Sequence, residues 1–196
     1  MLTVLLSLVS LGAVSAWSTC PRPQPSPGFK IADAGGVWYE IGKAQTFLGA
    51  FFEGNCGCTK LTVAPAQDGS ASVLNSCRKG GPGGQVQAVN TSITPSSRGA
   101  GAFDEHFKFG PFSNVVDYTF ISMDVNGTEY AVEYDCASIL GSLNYCFHIL
   151  AREPKADDAL VTKLVALMTT QLNPSNVTYK ATQQQGCWDE DEYILV

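Results

Sequence analysis

Apolar and polar side chains alternate with a period of two along much of the chain between residues 36 and 152. In Phe103–Phe109 the odd positions carry phenylalanines and one glutamate, whereas in Tyr130–Asp135 the even positions are the apolar ones. Such alternation is typical of antiparallel strands that have one dry and one wet face. Short segments of this kind, bounded by turn residues, lie near 36–44, 56–64, 71–77, 85–94, 102–109, 115–124, 129–136 and 144–152. The pattern predicts an all-β sandwich or barrel.

After Pro154 the hydrophobic period changes to that of a helix. Acidic residues Asp157 and Asp158 precede the periodic segment, and Asn173-Pro174 ends it. We predict one amphipathic helix, packed on the outward apolar side chains of the first and last long strands, and then a short strand near 176–181. The apolar stripe consists of Leu160, Val161, Leu164, Val165, Leu167, Met168 and Leu172.

The first residues are typical of a secretory leader. An apolar run from Leu2 to Val14 is followed by small residues, so we assign residues 1–16 to a signal peptide that is removed. We assign residues 17–35 to an N-terminal arm, 36–187 to one domain and 188–196 to a tail. All seven cysteines follow the leader, and Asn90, Asn126 and Asn176 are candidate glycosylation sites. These features predict a secreted, extracellular protein.

Charge narrows the classes of partner. The 196 residues have a net charge of −6 and contain no basic run, which argues against nucleic acid and against electrostatic attachment to an anionic membrane. The sequence does not indicate an oligomeric state.

Two separated segments are predicted to meet at one end of the fold. Gly36-Val37-Trp38-Tyr39-Glu40-Ile41 opens the first strand, and Phe147 to Pro154 is a late strand that ends near Arg152. An indole needs roughly 200 Å² of apolar cover, and a guanidinium over its face contributes about 0.5–2 kcal/mol. We expect Gly36, Trp38 and Arg152 to form a structural plug.

Taken together, the Gly-x-Trp motif, the late arginine, the strand count and the following helix resemble the lipocalin family. The resemblance is closest to the apolipoprotein D group with its bacterial and insect relatives. It implies an eight-stranded antiparallel up-and-down β-barrel with one C-terminal α-helix packed on the outside. It also implies binding and transport or sequestration of a small hydrophobic ligand, of the fatty acid, sterol, retinoid or carotenoid, or tetrapyrrole class, with no cofactor.

The resemblance also implies two disulfides, Cys20–Cys136 and Cys56–Cys187. Cys58 and Cys77 lie on strands that we expect to pair in a hairpin, so we predict Cys58–Cys77 as a third. Cys146 is then left over, as a buried inert thiol or as a partner of Cys136 in a rearranged pairing.

The predicted ligand-binding residues are aromatic and aliphatic side chains of the dry strand faces and of an apolar loop at the barrel mouth, together with three chemically distinctive groups. The loop residues line the pocket entrance, contact a membrane or lipoprotein surface, or simply cover the barrel. The full set is Phe47, Phe51, Phe52, Phe103, Glu105, Phe107, Phe109, Tyr130, Val132, Tyr134, Cys146 and His148.

Glu105 and Glu40 are the carboxyls expected to face inward. Alternation places Glu105 between Phe103 and Phe107, where burial raises a carboxyl pKa. Either it hydrogen-bonds a polar group of the ligand, or a register slip places it in water. Glu40 shares the parity of Trp38, and we expect it to hydrogen-bond a backbone or tyrosine group.

His148 and Cys146 share the inward parity of Arg152. We expect His148 to line the pocket and to hold no metal, because no carboxylate or thiolate partner stands at ligand spacing. His106 falls on the wet face. A lone cavity thiol would act as a nucleophile only with a base beside it, and none is evident. We therefore expect no enzymatic activity. The alternatives are a cavity-thiol isomerase that uses Cys146, and a barrel used mainly for protein contact, such as a pigment-complex subunit or an inhibitor.

Overall fold

A computed structural model describes residues 19–50, 53–109, 112–123, 130–139, 141–172 and 177–188. The predicted signal peptide, most of the predicted tail and the sequons at Asn126 and Asn176 lie outside these ranges. So do Phe51, Phe52 and the side chain of Phe109.

The strands form one closed antiparallel barrel, as predicted. Neighbours pair in the order β2-β3-β4-β5-β6-β7-β8-β1-β9, and pairing of β1 with β2 closes the cylinder. The strands are β1 (Gly36–Gln45), β2 (Cys56–Pro65), β3 (Ala71–Lys79), β4 (Val86–Pro95), β5 (Ala102–Phe109), β6 (Phe112–Met123), β7 (Tyr130–Ile139), β8 (Ser142–Ala151) and β9 (Tyr179–Ala181). A short 3₁₀ helix (Ile31–Ala34) precedes β1, and α1 (Asp158–Leu172) follows β8.

Strand β1 changes partner halfway along its length. Its first residues, Gly36 to Tyr39, pair with β2, and after a bulge beyond Glu40 it pairs with β9 instead. The segment after β9 continues between the two diverging strands, since Cys58 N–H donates to the Gln183 carbonyl and Thr182 N–H donates to the Ile41 carbonyl. The upper barrel wall is thus completed by the C-terminal segment.

Trp38 and Arg152 plug the lower end of the barrel. The Arg152 guanidinium lies 3.5 Å from the centroid of the fully buried Trp38 ring and donates to the Val37 carbonyl at 2.9 Å. The indole N–H donates to the Ala34 carbonyl at 2.7 Å. Gly36 has a φ of +98°, and a side chain there would come within 3.3 Å of the Arg152 guanidinium. This is the predicted contact, and it fixes the residue that opens β1.

The lower half of the barrel interior is filled by its own side chains. Phe29 of the N-terminal arm stacks on Phe120 at 4.6 Å between ring centroids and meets Phe103 edge-on. Around them pack buried aliphatic residues, among them Leu61, Val63, Val73, Ile93 and Leu150.

Helix α1 covers the outer face of β7 and β8. Asp157 caps it, because its Oδ1 accepts from the N–H groups of Ala159 and Leu160. Leu164 and Met168 pack on a row of outward side chains from these strands. None of the helices in the described part of the chain is long and apolar enough to cross a membrane.

The packing of α1 on β7 and β8 shows that three of the predicted ligand contacts are wrong. Tyr130, Val132 and Tyr134 belong to the cluster beneath α1 and therefore point out of the barrel. The dry face of β7 is its outer face, because the helix shields it from water. The sequence pattern identifies a dry face but does not say which side of the barrel wall it lies on.

The disulfides agree with prediction at one pair and differ at two. Cys20–Cys136 forms as the resemblance implied. The predicted Cys56–Cys187 and Cys58–Cys77 are wrong: Cys56 bonds Cys77, and Cys58 bonds Cys187. A bulge between Gly57 and Lys60 is the cause, since Cys58 has a φ of +53° and leaves the alternation of β2. Cys56 thus meets β3, and Cys58 turns to the C-terminal segment.

Candidate functional site

The inward face of the upper barrel is polar and charged. Strand alternation from the apolar lower core directs ionisable groups of β1, β5, β7 and β8 into the same space, and Glu53 enters it from the end of the β1–β2 loop. We call this set the interior cluster: Glu40, Lys43, Glu53, Glu105, Glu133, Asp135, Cys146 and His148.

His148 links two carboxylates across the barrel. Its Nδ1 lies 2.6 Å from Glu40 Oε2, and its Nε2 lies 3.2 Å from Asp135 Oδ2. Burial would lower the pKa of His148, but its interactions with Cys146, Glu53 and Asp135 raise it well above its ordinary value. The raised pKa favours the imidazolium form of His148, which donates from both ring nitrogens.

Glu40 is fully buried, and it is ionised. Burial acts to raise its pKa, but the His148 hydrogen bond and the Lys43 charge outweigh it and hold the pKa at about 2. Thr182 also donates to this carboxylate, and the Gln184 amide donates to the Glu40 carbonyl at 2.8 Å. The expected inward direction is confirmed, although the side-chain partners are a histidine, a lysine and a threonine.

Lys43 holds the neighbouring carboxylates. Its Nζ lies 2.6 Å from Glu53 Oε2 and 3.3 Å from Glu40 Oε1. Burial would lower the pKa of Lys43, but Glu53 and Glu40 raise it above its ordinary value. The site's two cations, Lys43 and His148, are thus already paired with carboxylates.

Burial raises the pKa values of three carboxyls of the interior cluster, those of Glu53, Glu105 and Glu133. Asp135 adds repulsion at Glu105 and Glu133, and the pKa values are about 7 for Glu105 and about 8 for Glu133. Tyr118 donates its hydroxyl to Glu133, and Glu105 shares a hydrogen bond with Thr91. Glu105 thus points into the barrel, the first of the two predicted alternatives, while its contact with a ligand stays a prediction.

Cys146 is a free, fully buried thiol beside His148. Sequence reasoning missed this base, which strand β8 places two residues away on the same face. Burial raises the pKa of the Cys146 thiol to about 12, however, despite the contact with His148. A neutral thiol and an imidazolium already held by two carboxylates are a poor nucleophile and base.

The interior cluster borders open space. The side chains of Asp135, Glu53 and Lys43 keep 20%, 16% and 13% of their surface accessible. Glu53 lines a cavity of about 30 Å³ together with Thr59, Asn75, Gln87 and Val89. Thr59 Oγ1 is buried there and has no hydrogen-bond partner among the described residues.

A groove outside the barrel reaches the same ion pair. It has a volume of about 640 Å³ and runs between the β1–β2 loop and β9, with Lys43 and Glu53 in its wall. Phe47, predicted to line the pocket, lines this groove instead and is 95% exposed. Phe103 lies in the filled lower core, and Phe107 is half-buried above it on the same inward row of β5.

Two sets of interior groups have the spacing of metal ligands. Asp135, Cys146 and His148 offer ligand atoms within 4.8 Å of one another, and so do Glu40, Glu53 and His148. The expectation that His148 has no carboxylate or thiolate neighbour is therefore wrong. A metal at either set would have to displace a proton from the Cys146 thiol or His148, or the Lys43 ammonium from its carboxylates.

Comparisons with known proteins identify the fold. No family model matches the sequence, and no curated protein matches it. Among solved structures, insecticyanin from the tobacco hornworm Manduca sexta superposes with a TM-score of 0.66 at 18% identity, over 88% of this chain and 90% of that one. Lobster apocrustacyanin A1 gives 0.60 at 15% identity, and apocrustacyanin C2 gives 0.59 at 15%, each over 78% of both chains. The chain has the lipocalin fold.

Proposed function

We propose that this chain is a secreted lipocalin that binds a small organic ligand in the upper half of its barrel and carries or sequesters it. The ligand combines an apolar body with one polar end. Its finer class, among the lipid, retinoid, carotenoid and tetrapyrrole types expected from sequence, and the place of the chain in the apolipoprotein D group stay predictions.

One observation supports the proposal above the others. The lower barrel is lined by buried apolar side chains, whereas the upper barrel contains partly accessible charged groups and an unpartnered Thr59 hydroxyl beside a cavity. Buried polar groups are almost always hydrogen-bonded in folded proteins, so an orphan beside a cavity is typical of a site that a ligand or water completes. A barrel used only for protein contact would be filled by its own side chains.

The arrangement sets the orientation of the ligand. Its polar end lies deep, against the interior cluster, and its apolar body lies toward the mouth, on the level of Phe107. Burial of ~300 Å² of apolar surface contributes about 7 kcal/mol, which offsets part or all of the cost of association. Secretion is supported by the three disulfides, which are typical of oxidising compartments.

Filling the cavity tests the proposal. Val89 lines the cavity, so Val89→Trp places an indole where the polar end would enter. Val115, which is 53% exposed on β6, gives the matched control Val115→Trp outside the barrel. We expect saturable quenching of tryptophan emission by a panel of hydrophobic ligands in the wild type and V115W, and its loss in V89W. Saturable binding by none of the panel, or undiminished binding by V89W, would contradict the proposed function.

A further inference from the structure

We propose that the upper barrel contains a site for Zn²⁺ or a similar divalent metal ion, with Asp135, Cys146 and His148 as its three protein ligands. The site lies within the interior cluster, on the adjoining strands β7 and β8. The inference goes beyond the proposed function and does not depend on it, because a metal ion can bind these residues whether or not the barrel carries an organic ligand.

Strand register brings the three ligands together. Asp135 and Cys146 are directly paired residues of the antiparallel strands β7 and β8, so their side chains share the inward face. His148 lies two residues beyond Cys146 on β8 and therefore projects from the same face. The paired strands, rather than a loop, thus fix the backbone positions of all three ligands.

The distances between the ligand atoms suit a small metal ion. His148 Nε2 lies 3.2 Å from Asp135 Oδ2, and a hydrogen bond joins the Cys146 thiol to His148. One ligand atom from each of the three residues lies within 4.8 Å of the other two. In a tetrahedral zinc site, with bonds of about 2.0–2.3 Å, neighbouring ligand atoms are about 3.5 Å apart. The three side chains therefore need only small movements to bind one ion.

The second nitrogen of His148 is already held in the way that metal-binding histidines require. Nδ1 lies 2.6 Å from Glu40 Oε2, and Glu40 in turn contacts Lys43 at 3.3 Å and accepts from Thr182. Histidines that bind a metal through one nitrogen commonly donate the other N–H to a carboxylate, which fixes the tautomer and the ring orientation. Glu40 is therefore a positioning residue that directs Nε2 toward the metal ion.

The other set of groups at ligand spacing, Glu40, Glu53 and His148, fits a metal ion less well. Its histidine nitrogen would be Nδ1, which faces both glutamates, and Lys43 already contacts the two carboxylates at 2.6 and 3.3 Å. A metal ion there would have to expel the Lys43 ammonium from its ion pairs. Asp135, in contrast, contacts no cation other than His148 among the described residues, and 20% of its side chain is accessible to an entering ion.

The donor atoms select the class of metal. Thiolate and imidazole ligands favour Zn²⁺ and related ions over Mg²⁺ and Ca²⁺, which prefer oxygen ligands. On binding, the ion forms bonds to Cys146 Sγ, His148 Nε2 and one oxygen of Asp135. The proton of the thiol and any proton on Nε2 leave to water, and nothing is oxidised or reduced. Three protein ligands leave the fourth tetrahedral position for a water molecule.

Cobalt substitution tests the proposal on wild-type protein that has been treated with a chelator and keeps its disulfides. Co²⁺ occupies the same tetrahedral sites as Zn²⁺, and a cobalt–thiolate bond gives a charge-transfer band in the near ultraviolet. Six of the seven cysteines form disulfides, so Cys146 is the one source of a thiolate. We expect one Co²⁺ per chain, with this band, and its displacement by one equivalent of Zn²⁺.

Calorimetric titration with Zn²⁺ at pH 7.5, in two buffers of different protonation enthalpy, counts the displaced protons. We expect release of one to two protons per Zn²⁺ bound, one from the Cys146 thiol and up to one from His148 Nε2. Binding through carboxylates at the surface of the protein would release almost none at this pH, because carboxylates there are already ionised.

Three variants and one matched control locate the site. Cys146→Ser should abolish the charge-transfer band, and this variant and His148→Gln should each weaken Zn²⁺ binding about 100-fold. Glu40→Gln should weaken Zn²⁺ binding by about 10–100-fold while keeping the band, because the thiolate still binds. His106→Gln, which changes the other histidine of the chain, exposed on β5, should alter neither quantity. The band of the wild-type protein keeps the test decisive if a variant fails to fold.

Each opposite outcome would overturn the metal site. Binding of Co²⁺ without the charge-transfer band would place the ion at other ligands, and loss of binding in H106Q would place it at the outer wall. Unchanged Zn²⁺ affinity in C146S, release of less than one proton, or absence of saturable binding by either metal would also refute the assignment. All these measurements are made without an organic ligand, so their failure leaves the proposed carrier function standing.

Discussion

Replacing Glu133 by glutamine should make the folded protein more stable at alkaline pH. Glu133 is 3% exposed, and its carboxyl has a pKa of about 8 against an ordinary value of 4.5. The folded state therefore binds a proton that the unfolded chain has released. The stability from that proton is fully present below about pH 4.5 and is lost as pH rises through about 8.

The size of the effect follows from the same values. At about 1.4 kcal/mol per pH unit, the complete loss approaches about 5 kcal/mol, and linkage assigns roughly 3 kcal/mol of it to the interval from pH 6 to pH 9. Glutamine keeps an oxygen that accepts from the Tyr118 hydroxyl and has no proton to lose. The free energy of unfolding of E133Q, relative to the wild type, should thus rise by about 3 kcal/mol over this interval.

Urea unfolding followed by tryptophan emission, at four pH values from 6 to 9 with the disulfides intact, measures this difference. Glu153→Gln is the matched control, since the same chemical change on an exposed side chain should give a difference that does not vary with pH. A difference between E133Q and the wild type that stays constant from pH 6 to 9 would refute the assignment of a buried, protonated Glu133.

Two further predictions concern the plug and the thiol. Arg152→Ala removes the guanidinium from the Trp38 ring and from the Val37 carbonyl. We expect this variant to lower the free energy of unfolding by about 2–3 kcal/mol, and Arg152→Lys to lower it by less. An unchanged midpoint of urea unfolding would contradict the structural role of Arg152. Burial raises the pKa of the Cys146 thiol to about 12, so this thiol should resist iodoacetamide at pH 8 in the native protein and react after unfolding in urea. Mass spectrometry measures the labelling. Rapid labelling of the native protein would contradict this prediction and support the enzyme alternative.

The barrel fold could be predicted from the sequence because the signals of its strands and helix are local and agree with one another. Period-two alternation, turn residues and the switch to helical spacing after Pro154 each mark an element without reference to distant residues. The Trp38–Arg152 contact joins distant residues, yet it was also found, since both residue types are large, chemically distinctive and placed at strand ends.

The partners of Cys56 and Cys58 could not be predicted from sequence, because they depend on an irregularity of β2 that has no local sequence signal. Cys56 and Cys58 have the same parity in a regular strand, so alternation alone cannot tell which of them meets Cys77. A bulge with Cys58 at positive φ decides the pairing, and a non-glycine residue carries no sequence signal for that conformation. Gly57, directly before Cys58, is the one nearby residue type that is unusual inside a regular strand.

The polar interior of the upper barrel could have been predicted by comparing the strand faces of β7 and β8. Arg152 fixes the inward parity of β8 and hence of His148, and the residue opposite His148 in the antiparallel β7 is Glu133. Directly opposite residues share a face, so Glu133 and Asp135 had to point inward and the apolar side chains between them outward. Counting apolar residues gave the wrong face because α1 makes the outside of this strand dry.

The lower half of the barrel stabilises the fold, and the upper half carries the polar groups that a ligand would contact. Glu105 and Glu133 lie in the upper half, where burial raises the pKa of each carboxyl. The packed lower core, the Trp38–Arg152 plug and the three disulfides hold the strands that carry these two carboxyls. A ligand that enters the upper half meets polar groups that the rest of the barrel already holds in place, so its binding needs little reorganisation of the protein.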